Sequence, residues 1–128
     1  MSNDIDWSKY PNFKPEEFLC KHTGKSGIKK ELLGKLQELR TRFGKPLKVT
    51  SGYRDPTHPI EAKKEAPGPH TTGLAVDLAV QGKDAYVVVG LAMGLGFTGI
   101  GVNQKGARGR FIHLDLLKTS LRPIIWSY

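Results

Sequence analysis

Two short segments, Leu74–Val80 and Arg110–Leu116, constrain this chain more than any other feature, because each alternates between apolar and other side chains. Successive side chains of a β-strand point to opposite faces, so this period of two predicts a pair of half-buried strands. In the first, Leu74, Val76, Leu78 and Val80 share the core face, and Ala75, Asp77 and Ala79 share the other. In the second, Ile112, Leu114 and Leu116 turn to the core, and Phe111, His113 and Asp115 turn away from it. Strands with one apolar face require a covering layer.

That layer is available. Ile28, Leu32, Leu36, Leu39 and Phe43 recur at steps of three and four, which predicts an amphipathic helix from about residue 28 to 43, ended by Gly44 and Pro46. A second helix is expected over Lys83–Gly94, although its Tyr-Val-Val-Val run has β propensity. Pro15, followed by Glu16 and Glu17, marks a short helical start. Leu47–Thr50 and Phe97–Val102 read as further strands, and Asp55–Thr72, with four prolines and no period, reads as one long loop. The tail Pro123–Tyr128 is apolar enough to dock on the body. The expected fold is α+β, a small and mainly antiparallel sheet with flanking helices, in one domain over residues 1–128.

Chemistry concentrates on the faces turned away from the core. Asp77 stands between two small alanines, and a carboxylate buried there needs a partner or a metal. His70 lies upstream, and a turn at Gly73 would fold the loop back to bring its imidazole near. If the two strands are neighbours, Asp77, His113 and Asp115 line one surface with His70 above it. A lone histidine or aspartate in a strand is ordinarily structural, so it is the combination that points to a metal. Two imidazoles and one carboxylate with a fourth position open form a catalytic rather than a structural zinc site. Such an ion lowers the pKa of water to about 7 and polarises a carbonyl. His22 and His58 sit in loops without an alternating context.

Bulk properties narrow the setting. The net charge of +8 favours anionic partners such as nucleic acid, anionic lipid or an anionic cell wall. The basic residues are scattered, with Lys29-Lys30, Lys63-Lys64 and the Lys105–Arg110 stretch far apart, and no basic helix carries interleaved aromatics, which disfavours a nucleic-acid binder. The one cysteine, Cys20, has no internal partner for a disulfide. Neither a signal peptide nor a membrane span is expected, so synthesis in the cytoplasm is the expectation, and a monomer is expected as well.

Four motifs together carry a resemblance: Ser51-Gly-Tyr-Arg54, His70-Thr-Thr-Gly-Leu-Ala-Val-Asp77, Gly99-Ile-Gly-Val102 and Phe111-Ile-His-Leu-Asp115. They span about half the chain and strongly resemble the M15 family of zinc D-Ala-D-Ala carboxypeptidases and peptidoglycan endopeptidases. Phe13–Phe18 and Trp126-Ser-Tyr128 look like the short phage and bacterial members. The resemblance implies a hedgehog/DD-peptidase-like fold, zinc as cofactor, and His70, Asp77 and His113 as its ligands. It places Arg54 beside the metal, where it would bind a substrate carboxylate or steady an oxyanion, and a guanidinium suits both tasks.

Several relatives carry an acid a few residues before the last histidine, whereas Lys105–Arg110 here contains none. Asp115 is then the expected general base, passing a proton to the leaving amine, or else a group that orients a histidine ligand. Glu65 is an outside candidate. The implied activity is hydrolysis of peptidoglycan stem peptides or cross-links by a phage-type endolysin or a virion-associated enzyme, reaching the wall after release. The alternative is a non-catalytic zinc-containing binding module on the same fold, as in the similar hedgehog signalling domain.

Overall fold

The computed structural model describes residues 5–64 and 68–128. Its elements run α1 (Lys30–Phe43), β1 (Val49–Ser51), α2 (Pro59–Ala62), β2 (Ala75–Leu78), α3 (Gly82–Gly94), β3 (Gly99–Asn103), β4 (Phe111–Asp115) and β5 (Ile124–Ser127), with short 3₁₀ helices at Trp7–Lys9, Pro15–Phe18 and Pro69–Thr72. No helix among the described residues is long and apolar enough to cross a membrane.

One five-stranded sheet has the order β1-β2-β4-β3-β5. The two alternating segments are indeed neighbours: β2 and β4 pair antiparallel, with Asp77 opposite His113 and Ala75 opposite Asp115. The expectation of a mainly antiparallel sheet is corrected by β5, which runs parallel to β3 and makes the sheet mixed. The tail returns to the body as the edge strand β5, which leaves Ile124 and Ile125 exposed.

The core lies between one face of the sheet and the long helices. Val76, Leu78, Ile100, Ile112 and Leu114 meet Leu32, Leu33, Leu36 and Leu39 of α1 and Ala85, Val88 and Ala92 of α3. The Tyr86–Val89 run is helical within α3 despite its β propensity, with Val88 packed in the core. An aromatic cluster of Trp7, Phe13 and Phe18 closes the other end, with Trp7 and Phe18 ring centroids 5.7 Å apart. Phe18 also accepts the Tyr53 N–H through its carbonyl, tying the N-terminal segment to the Ser51–Arg54 turn.

The stretch expected to be a single loop, Asp55–Thr72, holds two elements among its described residues. His58 caps α2 by accepting the Ile60 N–H at its Nδ1, with Pro59 at the first helical position. Pro69 starts the 3₁₀ helix that carries His70. Each is one turn long, too short to show a period.

Candidate metal centre

The sheet face opposite the core carries the site. Asp77 on β2 and His113 on β4 are set side by side by the strand register. His70 arrives from the 3₁₀ helix, and the chain then reverses at Gly73, whose φ of 78° lies in the left-handed region that favours glycine. A Cβ there would overlap the Gly27 carbonyl, so this position excludes a side chain on two grounds. The expected turn at Gly73 is therefore the device that delivers His70.

His70 Nε2 lies 3.2 Å from Asp77 Oδ1, and His113 Nδ1 lies 3.1 Å from the same oxygen. All three residues are buried, and one donor atom from each falls within 4.8 Å of the others. Ligands about 2.0–2.1 Å from a tetrahedral ion stand roughly 3.3 Å apart, close to these separations.

The hydrogen bonds fix which nitrogen is free. His70 donates Nδ1–H to the Gly52 carbonyl at 2.8 Å, and His113 donates Nε2–H to Asp115 Oδ2 at 2.8 Å. A carbonyl and a carboxylate only accept, so the protons belong on those nitrogens. The lone pairs of His70 Nε2 and His113 Nδ1 then face a carboxylate oxygen, three acceptors converging in a buried place. Such a set requires a positive charge, supplied by a cation or by extra protons. Both histidines thus carry the outer partners that metal-binding imidazoles ordinarily have.

The titration behaviour agrees. Burial would raise the Asp77 pKa, but His113 and His70, which donate to it when their rings are protonated, outweigh burial and hold the carboxyl well below the usual carboxylate range. For His113, burial pulls the pKa down, yet its bonds with Asp115 and Asp77 prevail and the net shift is upward. Asp115 is pushed down to about 2, burial being overcome by His113 and Arg122.

Arg54 stands beside this cluster, its Nη2 3.9 Å from Asp77 Oδ2. Its Nη1 is held at 3.1 Å by Glu61 Oε2 from α2. Glu61 is itself buried, and it also accepts the Gly68 N–H and pairs with Lys64. Sequence reasoning missed Glu61, since nothing in an aperiodic stretch distinguishes one acid from its neighbours.

Asp115 occupies a place that differs from the one expected of a proton carrier. It is fully buried on the far side of the His113 ring from Asp77, and both its oxygens are engaged. Oδ1 accepts from Leu117 N–H and Arg122 Nε, and Oδ2 accepts from His113 and Arg122 Nη2. These contacts are those of a group that orients a histidine, the second of the two roles expected for Asp115. Arg122 had no sequence signal, lying in an irregular turn before β5. Of the remaining sequence candidates, His22 and His58 meet edge to face with ring centroids 5.8 Å apart and do not belong to the three-donor cluster. Glu65 lies outside the described residues.

Two imidazoles and a carboxylate, buried, oriented from behind and flanked by an arginine, are the equipment of a metal-dependent hydrolase. A family model for Peptidase M15 matches residues 11–115. The chain belongs to that family, which implies a zinc metallopeptidase. Among curated proteins no sequence matches.

Proposed function

We propose that the chain is a zinc peptidase that cuts peptide bonds in peptidoglycan stem peptides or cross-links, acting on the bacterial wall as a phage-type endolysin. The observation that carries this reading is the convergence of His70 Nε2 and His113 Nδ1 on Asp77 Oδ1, at 3.2 and 3.1 Å, with both other imidazole nitrogens already bonded. These three residues would hold zinc, which when bound activates water and polarises the scissile carbonyl.

The remaining work falls to side chains in place. Arg54, anchored by Glu61 and only part-exposed, meets a substrate carboxylate or the oxyanion that develops during attack. Asp115 keeps His113 in the tautomer that leaves Nδ1 free. The charge of +8 favours association with an anionic wall.

A non-catalytic module on the same fold is the competing reading, and one observation favours it: Asp115 is fully engaged, and Lys105–Arg110 supplies no other acid. Digestion of purified peptidoglycan with the zinc-loaded protein, followed by mass analysis of the fragments, separates the two. A peptidase releases fragments with new amino termini, and chelation abolishes the release. A protein that binds zinc and sacculi yet releases nothing is the module.

A further inference from the structure

Arg122 does nothing in the reading above except neutralise Asp115, yet its surroundings are built with unusual care. We infer that Arg122 is a positioning residue of the metal centre, and that residues 119–128, beyond the family match, form a clasp presetting His113 for the ion. This rests on the proposed ligand set.

The first contact is polar. Arg122 donates Nε–H to Asp115 Oδ1 at 3.0 Å and Nη2–H to Oδ2 at 2.8 Å. This two-pronged grip fixes the plane of the carboxylate, which a point charge would not. Oδ2 in turn accepts Nε2–H of His113. Among the described residues Arg122 is the one cationic side chain paired with Asp115 apart from His113 itself.

A second contact is through packing. The guanidinium lies 5.3 Å from the centroid of the Trp126 ring, and that ring lies 5.1 Å from the ring of His113. The His113 ring is therefore fixed both at its edge, through Asp115, and at its side, through Trp126. Arg122 touches both groups, gripping Asp115 and lying over Trp126.

The sheet makes room for this arrangement. In β3, Gly99 and Gly101 pair with Asp115 and His113 on one side and with Ile124 and Trp126 on the other. A Cβ on Gly99 would overlap the Asp115 carboxylate, and one on Gly101 would come within 2.7 Å of Trp126. The Gly-Ile-Gly motif is thus the floor beneath the two groups that hold His113. The Ile124 N–H to the Thr98 carbonyl, at 2.9 Å, and the β3–β5 pairing fix the clasp in register.

The test uses the full chain and its zinc affinity, read by competition with a chromophoric chelator, in the wild type, R122M, R122K, D115N and the R122M/D115N double variant. Outer partners of metal-binding histidines typically matter by 10- to 100-fold in affinity, so R122M should weaken zinc binding by about that factor. R122K should recover only part of the loss. Because Arg122 acts through Asp115, R122M should cost far less in the D115N background. Nitrogen NMR of the loaded protein should show the His113 Nε2–H of the wild type exchanging slowly and that of R122K exchanging fast. Equal losses in both backgrounds, or wild-type affinity in folded R122M, overturn the inference. If R122M does not fold, R122K decides: unchanged affinity and an unchanged His113 signal overturn it equally. Failure of the wild type to bind zinc would instead sink the ligand set on which the inference rests.

Discussion

At the scale of the residue, the site depends on the second nitrogen of each histidine. Gly52 and Asp115 hold those nitrogens, and the lone pairs that remain point at one oxygen of Asp77. Asp115→Ala should therefore weaken zinc binding about 10- to 100-fold, measurable by chelator competition, because the His113 ring loses its anchor and Arg122 its partner. Unchanged affinity would return Asp115 to the role of proton carrier. The pH dependence follows from the same contacts. Asp115 titrates at about 2 in the fold against an ordinary 3.8, so its stabilisation is complete above 3.8 and lost as the pH falls toward 2, roughly 2 kcal/mol in all. His113 is shifted the other way, above its ordinary 6.5; its contribution is present below 6.5 and lost as the pH rises through the raised value. Urea titrations of the metal-free protein should then give the highest stability between about pH 4 and 6.5. Zinc affinity should rise with pH through 6.5 and level off once the raised His113 value is passed, since the ion displaces the proton on His113. A zinc affinity flat across that range would contradict this assignment.

At the scale of the element, the strands that carry the ligands were legible because alternation is a local property. Half-buried strands write their two faces directly into the sequence, and Leu74–Val80 and Arg110–Leu116 do so. The helix over residues 28–43 was legible for the same reason at its own period. What escaped was of two kinds. One-turn elements such as α2 hide in a proline-rich stretch, and Glu61 hides with them. The strand β5 escaped because its four residues show no alternation and it pairs in parallel with β3 rather than with an adjacent hairpin partner. Arg122 depends on that pairing for its position, so it could not be found before the topology. The turn at Gly73 offers the sharpest element-scale prediction. Gly73→Ala meets both an unfavourable φ and the Gly27 carbonyl, and should cost at least about 1 kcal/mol in urea unfolding. It should also displace His70 and lower zinc affinity. A variant with wild-type zinc affinity would show that His70 reaches the site without this turn.

At the scale of the whole molecule, one face of a mixed sheet is given to the core and the other to chemistry. The helices cover the first face, and segments from both ends of the chain brace the second. The N-terminal segment holds the turn at Tyr53 through Phe18, and the C-terminal clasp holds His113. The +8 charge surrounds this machine with an attraction for polyanions. Binding to purified sacculi should weaken as salt rises from about 0.05 to 0.5 M, as the screening length shortens; a salt-independent association would remove charge from the account. Zinc uptake is the most direct test. Native mass measurement of the purified chain after zinc loading should show one zinc per chain, retained at wild-type level only while His70, Asp77 and His113 are intact. Each of His70→Ala, Asp77→Ala and His113→Ala should lose it, whereas His58→Ala should keep it. A wild type that takes no zinc, or a bound ion indifferent to all three substitutions, would contradict the account.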